Sequence, residues 1–270
     1  VKHLDAKDYK ANTLYPLTAH LFSEYSNTKY YLWDAEHDMW HNKTAVDYAS
    51  GLYAATDVPK EDLAHPHHAI AADADRWFNP NPNEVPDFTY VSGYGNKFYY
   101  ATNSAKDCPN VWELAWYYDK GDIRWDGEVA FLFRGRIYHG GAWIKKQSVI
   151  AEENSTTVAA LKNTCPGGPL HHDQTDLINP DGGGGEGPKK TITQGAPSTA
   201  TLKKYFFLPA LGDYRSQTLY GLGTHGAYTC SNTYDNSQGL YTWALDFTST
   251  EVWLHSTQDI AGGIPLWKAQ

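Results

Sequence analysis

No apolar run in this sequence approaches the ~18 residues that a membrane helix needs, so insertion by a helix is excluded. Basic clusters are scarce too; the densest are Lys145-Lys146, Lys189-Lys190 and Lys203-Lys204. With a formal charge of −9, the chain lacks a phosphate-binding patch, and nucleic acid is not an expected partner. The three cysteines, Cys108, Cys165 and Cys230, are an odd count. That rules out a disulfide framework and leaves room for one bridge. No CxxC or CxxH spacing is present, which disfavours zinc. The Gly-rich run from Asp181 to Pro188 lacks the order of a phosphate loop. The tail lacks the Glu-Pro-Asn or Gln-Pro-Asp triplet of a calcium-type sugar site. No metal or cofactor is expected, and no internal repeat is evident.

What is abundant is aromatic: ten Trp and twenty Tyr. These residues fill cores, and they also supply stiff contact area at low entropy cost. A chain of 270 residues forms one large domain or two small ones. The sequence opens at Val1 with no signal segment and reads as a trimmed chain whose signal or anchor lies outside it.

The local pattern predicts a short helix within Leu14–Tyr25 and a strand and turn over Tyr30–Trp40. Prolines make 57–87 irregular, with Trp77 and Phe78 tucked into the body. The clearest helix spans Pro109–Lys120. Asn110 and Glu113 have capping-box spacing, and Val111, Leu114, Ala115 and Tyr118 form one buried stripe. A turn bearing Trp125 follows, and 128–146 should begin helical and end as a strand. Residues 163–199 read as a flexible insertion. Tyr205–Leu208 reads as a buried strand ended by Pro209, and Thr250–Thr257 should pair back onto 241–249.

Candidate chemistry is thin. Cys108 sits at a helix start, where the dipole lowers a thiol pKa, but no histidine partner is identifiable. His65, His67, His68, His171 and His172 lie in Pro/Gly-rich stretches and read as solvated. Asp122, Asp126 and Glu128 could supply paired carboxylates, though turn capping around Trp125 fits Asp122 and Asp126 better.

The tail, 204–270, has contact-forming residues without catalytic order. Along 241–249, Tyr241, Trp243, Leu245 and Phe247 fall on one face; Thr242, Ala244, Asp246 and Thr248 fall on the other. This pattern predicts a half-buried strand with one wet face.

Several motifs recur in order: Leu208–Gly212, Leu219–Tyr228, Leu245–Val252 and Gly263–Leu266. With Tyr31–Ala35, Asn103–Glu113 and Gly135–Trp143, they make the chain resemble the Fibrobacter succinogenes major paralogous domain family. The resemblance covers Tyr30 to Gln270. It implies an α+β, C-type-lectin-like fold of the formylglycine-generating-enzyme type: an N-terminal segment over 1–29, a domain over 30–270 and a Gly-rich insertion. The enzymatic relatives use a Cys pair in the tail, where this chain has Cys230 alone. Thr229-Cys230-Ser231 stands where the family has Trp-Ser-Ser.

The resemblance extends to variable proteins of diversity-generating retroelements, in which a fixed frame presents rewritable surface positions. It implies a non-enzymatic adhesin or receptor-binding protein at the cell surface or a phage tail tip. Its partner would be a protein or glycan. Ala244, Asp246, Trp253, His255, Thr257 and Asp259 are the expected outward positions. The loop residues Thr229, Asn232, Tyr234, Asp235 and Asn236 join them, as do Tyr214, Arg215 and His225. The competing readings are an enzyme, glycoside hydrolase or formylglycine-generating in type, and a structural subunit of a pilus or tail fibre.

Overall fold

The structure, a computed structural model, describes residues 23–25, 27–41, 73–84, 97–133, 135–166, 188–215, 218–236 and 239–270. In chain order its strands are β1 (Ser23–Glu24), β2 (Tyr30–Tyr31), β3 (Asn83–Glu84), β4 (Phe98–Tyr100), β5 (Arg124–Trp125), β6 (Ala130–Phe133), β7 (Arg136–His139), β8 (Gly141–Lys145), β9 (Lys190–Thr191), β10 (Thr193–Gln194), β11 (Tyr205–Pro209), β12 (Asp213–Arg215), β13 (Thr218–Tyr220), β14 (His225–Asn236), β15 (Gly239–Thr248), β16 (Glu251–Asp259) and β17 (Ile264–Pro265). The helices are α1 (Val111–Lys120), α2 (Gln147–Glu153) and α3 (Val158–Leu161). Strand takes 40% and helix 16%, so the chain is β-rich and compatible with the α+β class.

The central sheet is antiparallel, in the order β3-β4-β14-β15-β16-β9. A second sheet runs β10-β5-β8-β11. Helix α1 contacts β14, β15 and β16 as well as β8. It begins where the sequence predicts. Asn110 Oδ1 accepts from the Glu113 amide at 3.0 Å, and Glu113 Oε2 accepts from the Asn110 amide at 2.7 Å. The single stripe was too narrow an expectation: every residue from Val111 to Tyr118 is buried. A helix enclosed by neighbouring elements buries its whole circumference.

Among the described residues, two hydrophobic cores result. One surrounds α1 and holds Trp243, Leu245 and Phe247. The other gathers Tyr30, Met39, Trp40, Phe131, Phe133 and Tyr214, with Trp77 and Phe78 packed against it as expected.

Three local expectations change. Residues 128–146 hold no helix but the strands β6, β7 and β8. Gly135, at φ 77°, permits the tight β6–β7 turn. Part of the expected flexible insertion is built into the sheets: β9 pairs with β16, and β10 with β5. Ile192 between them is buried, which anchors the segment. Within the expected first helix only 23–25 is described, and Ser23–Glu24 is a strand paired with β6. The five loop histidines and the Gly run from 181 to 187 lie outside the described residues.

Candidate functional site

The tail forms the three long central strands, with Thr250–Thr257 paired back onto 241–249 as expected and reversals at Ser249–Thr250 and near Gly262. Trp243, Leu245 and Phe247 face the first core as expected. The expected wet face is not wet. Ala244 and Asp246 are both 0% exposed, and Trp253 is 7% exposed. The cause lies in the flanking strands. Asp246 stands opposite Trp253 of β16 and Ala227 of β14. His225 and Trp253, stacked at 6.0 Å between ring centroids, flank the shorter acid. Lys189 in turn lies over the Trp253 ring at 4.7 Å. Large rings on neighbouring strands close over short side chains between them, which a period-two pattern in one strand cannot register.

These residues form a charged cluster. His225 Nε2 lies 2.7 Å from Asp246 Oδ1, and its Nδ1 lies 3.4 Å from Asp213 Oδ1. Arg215 Nε donates to Asp213 Oδ2 at 2.7 Å. His255 Nδ1 stands 3.8 Å from Asp246 Oδ2. Burial pulls the His225 pKa down, but the adjacent carboxylates of Asp213 and Asp246 outweigh it and raise the value to about 9. Burial likewise pushes Asp213 up, and His225 and Arg215 bring it below the usual carboxylate value. Five expected site residues thus meet here: Arg215, His225, Asp246, Trp253 and His255. Asp213 completes the cluster and was missed. Its only sequence signal is its place two residues before Arg215.

The remaining expected residues are scattered. Tyr214 is fully buried and packs edge-on against Tyr30 at 5.0 Å. Thr229 is buried, and its carbonyl accepts from the Trp267 indole at 2.7 Å. Asn232 is fully buried beside the start of α1. Tyr234 is 5% exposed and lies 4.6 Å from the Trp243 ring. Thr229, Asn232 and Tyr234 lie on β14, which runs between β4 and β15, and Tyr214 lies on β12 within the second core. Asn236 pairs with Gly239 and Asp259 with Tyr241, and Thr257 falls at a register shift between β15 and β16.

Asp235 of the loop set opens onto a cleft. This cleft, about 480 Å³, is lined by Pro80, Pro82, Glu84, Tyr99, Asp235 and Leu240 among others. Tyr99 Oη donates to Asp235 Oδ2 at 3.1 Å, and Lys97 Nζ meets Glu84 at 2.7 Å. Burial and the bond to Asp235 push the Tyr99 phenol pKa up.

The other candidate chemistry is internal. All three cysteines are free and buried. Burial raises Cys108 to about 12, overriding the expected dipole effect. Asp126 caps its turn as expected, accepting from the Glu128 amide at 3.0 Å and from the Trp143 indole at 3.0 Å. Asp122 binds Arg124 at 3.1 Å and the Tyr205 hydroxyl at 2.6 Å. Among the described residues, no group of three or more His, Cys, Asp or Glu is placed to hold a metal ion. No described helix is long and apolar enough to cross a membrane. No protein-family model matches the chain, and neither a curated protein nor a solved structure matches it.

Proposed function

We propose that this protein is a non-enzymatic binder, of adhesin or receptor-binding type, that recognises a protein or glycan on another cell or surface. The observation that carries this reading is the cleft where Tyr99, Asp235 and Leu240 face Pro80 and Pro82. It offers an aromatic ring, prolines and a carboxylate on a stiff sheet, the mixture that gives contact area with directional hydrogen bonds. The acids of the charged cluster are fully buried and shared with His225, so they suit a structural role better than hydrolysis.

On this reading the fold is C-type-lectin-like, supported by the long tail hairpins with α1 packed on them. The protein acts at a cell surface or a phage tail tip. If it is a variable protein of a diversity-generating retroelement, variation belongs at the open end of the β14–β15 hairpin rather than at Ala244, Asp246 or Trp253. A near-copy of the tail-coding segment beside a reverse-transcriptase gene would support that origin.

The direct test is a glycan and protein array with wild type, Tyr99→Ala and Asp235→Ala. Each substitution should weaken binding to a captured ligand by more than about 1 kcal/mol while leaving the fold intact. Unchanged binding by both variants would remove the cleft from the ligand site.

A further inference from the structure

Four of the five buried polar side-chain atoms without a hydrogen-bond partner among the described residues lie in the charged cluster: Asp213 Oδ1, Asp246 Oδ2, Trp253 Nε1 and His255 Nδ1. Buried polar atoms in native proteins are almost always paired. These four atoms are themselves buried, although the His255 side chain as a whole is 21% exposed.

Two of the four face each other. Asp246 Oδ2 and His255 Nδ1 stand 3.8 Å apart, roughly an ångström beyond a hydrogen bond. Asp246 pairs across the sheet with Trp253, and Ala244 pairs with His255. Asp246 and His255 are therefore diagonal neighbours on one face. The register of β15 and β16 shifts between Thr242 and Ala244, next to His255.

The other charged side chains around them are already engaged. His225 takes Asp246 Oδ1 and faces Asp213, and Arg215 holds Asp213. Lys189 lies over Trp253 and pairs with Glu251 at 3.6 Å. His225, raised to about 9, keeps its charge across neutral pH. Histidine is the side chain that ordinarily changes charge between about pH 5 and 8, and His255 is the second histidine of this cluster.

We propose that Asp246 and His255 form an acid-operated latch between β15 and β16. A proton gained by His255 places an N–H and a positive charge opposite the unshared Asp246 oxygen. The gap closes to a charge-assisted hydrogen bond and clamps β16 beside the bulge. Loss of the proton reopens it. The clamp is present at low pH and lost as pH rises.

The test combines imidazole nitrogen NMR of the wild-type protein from pH 5 to 8 with thermal unfolding of wild type and His255→Gln. His255 should gain its second N–H in this range, and the amides of Ala244 and Asp246 should shift with the same midpoint. The Tm gap between wild type and H255Q should widen by about 2–4 °C as pH falls. Parallel Tm profiles, or an imidazole that does not titrate, would overturn the latch. Should H255Q not fold, the wild-type spectra decide: titration of His255 without movement at Ala244 and Asp246 rejects it.

Discussion

Asn232 Oδ1 accepts a hydrogen bond from the Val111 amide at 2.9 Å, joining the middle of β14 to the first turn of α1. The first amides of a helix have no partner within it. Asn110 serves one of them from its own chain segment, and Asn232 serves another from 121 residues away. This side chain fixes the helix against the central sheet.

Asn232→Ala should therefore lower stability by about 1–3 kcal/mol, because it strands a buried helix amide. Urea denaturation monitored by tryptophan fluorescence measures this. A loss near zero would mean that another group takes over the cap.

A larger loss is expected at Asp34. Its carboxylate accepts from the amides of Thr102, Asn103 and Ala105 and from the Asn79 side chain, at 2.7 to 3.1 Å. The residue is fully buried. Asp34→Ala leaves several donors unpaired at once and should cost about 3 kcal/mol or more. Asp34→Asn, which still offers one carbonyl, should cost less. Equal losses for the two variants would argue against the carboxylate network.

The His225 bridge predicts alkaline sensitivity. Its folded pKa, about 9, lies above the ordinary 6.5. Its stabilisation is thus complete below about pH 6.5 and lost as pH rises through about 9, on the order of 3 kcal/mol in total. Asp213 acts at the opposite end: its lowered pKa gives stability that is lost in strong acid. Denaturation midpoints of wild type should fall between pH 7 and 10, and those of His225→Gln should fall less. Identical slopes would contradict the bridge.

Trp253 and Tyr234 are poor probes of binding. Both are more than nine-tenths buried. Trp253→Ala should cost about 3–5 kcal/mol in stability, whereas Asp235→Ala at the cleft should stay within about 0.5 kcal/mol. Thermal unfolding separates the two classes. A stable Trp253→Ala protein would return that residue to the surface.

Thiol chemistry gives a simple check on the interior. Cys108, Cys165 and Cys230 are buried with raised pKa values, to about 12, 12 and 11. A thiol-reactive dye should label none of them in the native protein and all of them in denaturant. Fast native labelling of Cys108 would show that its surroundings open.

Elements whose causes are local can be read from the order of residues alone. The capping box at Asn110 and Glu113 needs residues three apart. The alternation of Trp243, Leu245 and Phe247 needs one strand and one core. Tertiary structure decided what depends on contacts across the chain. Asp246 is short, and nothing near it in sequence says that His225 and Trp253 will close over it. Asp213 and Asn232 gain their roles only when strands distant in sequence come within hydrogen-bond reach. For the same reason the expected recognition face became a charged cluster around two buried acids, and the open cleft appeared where Asp235 meets Tyr99. A strand's own pattern says which side chains share a face, but only its neighbours decide whether that face meets water.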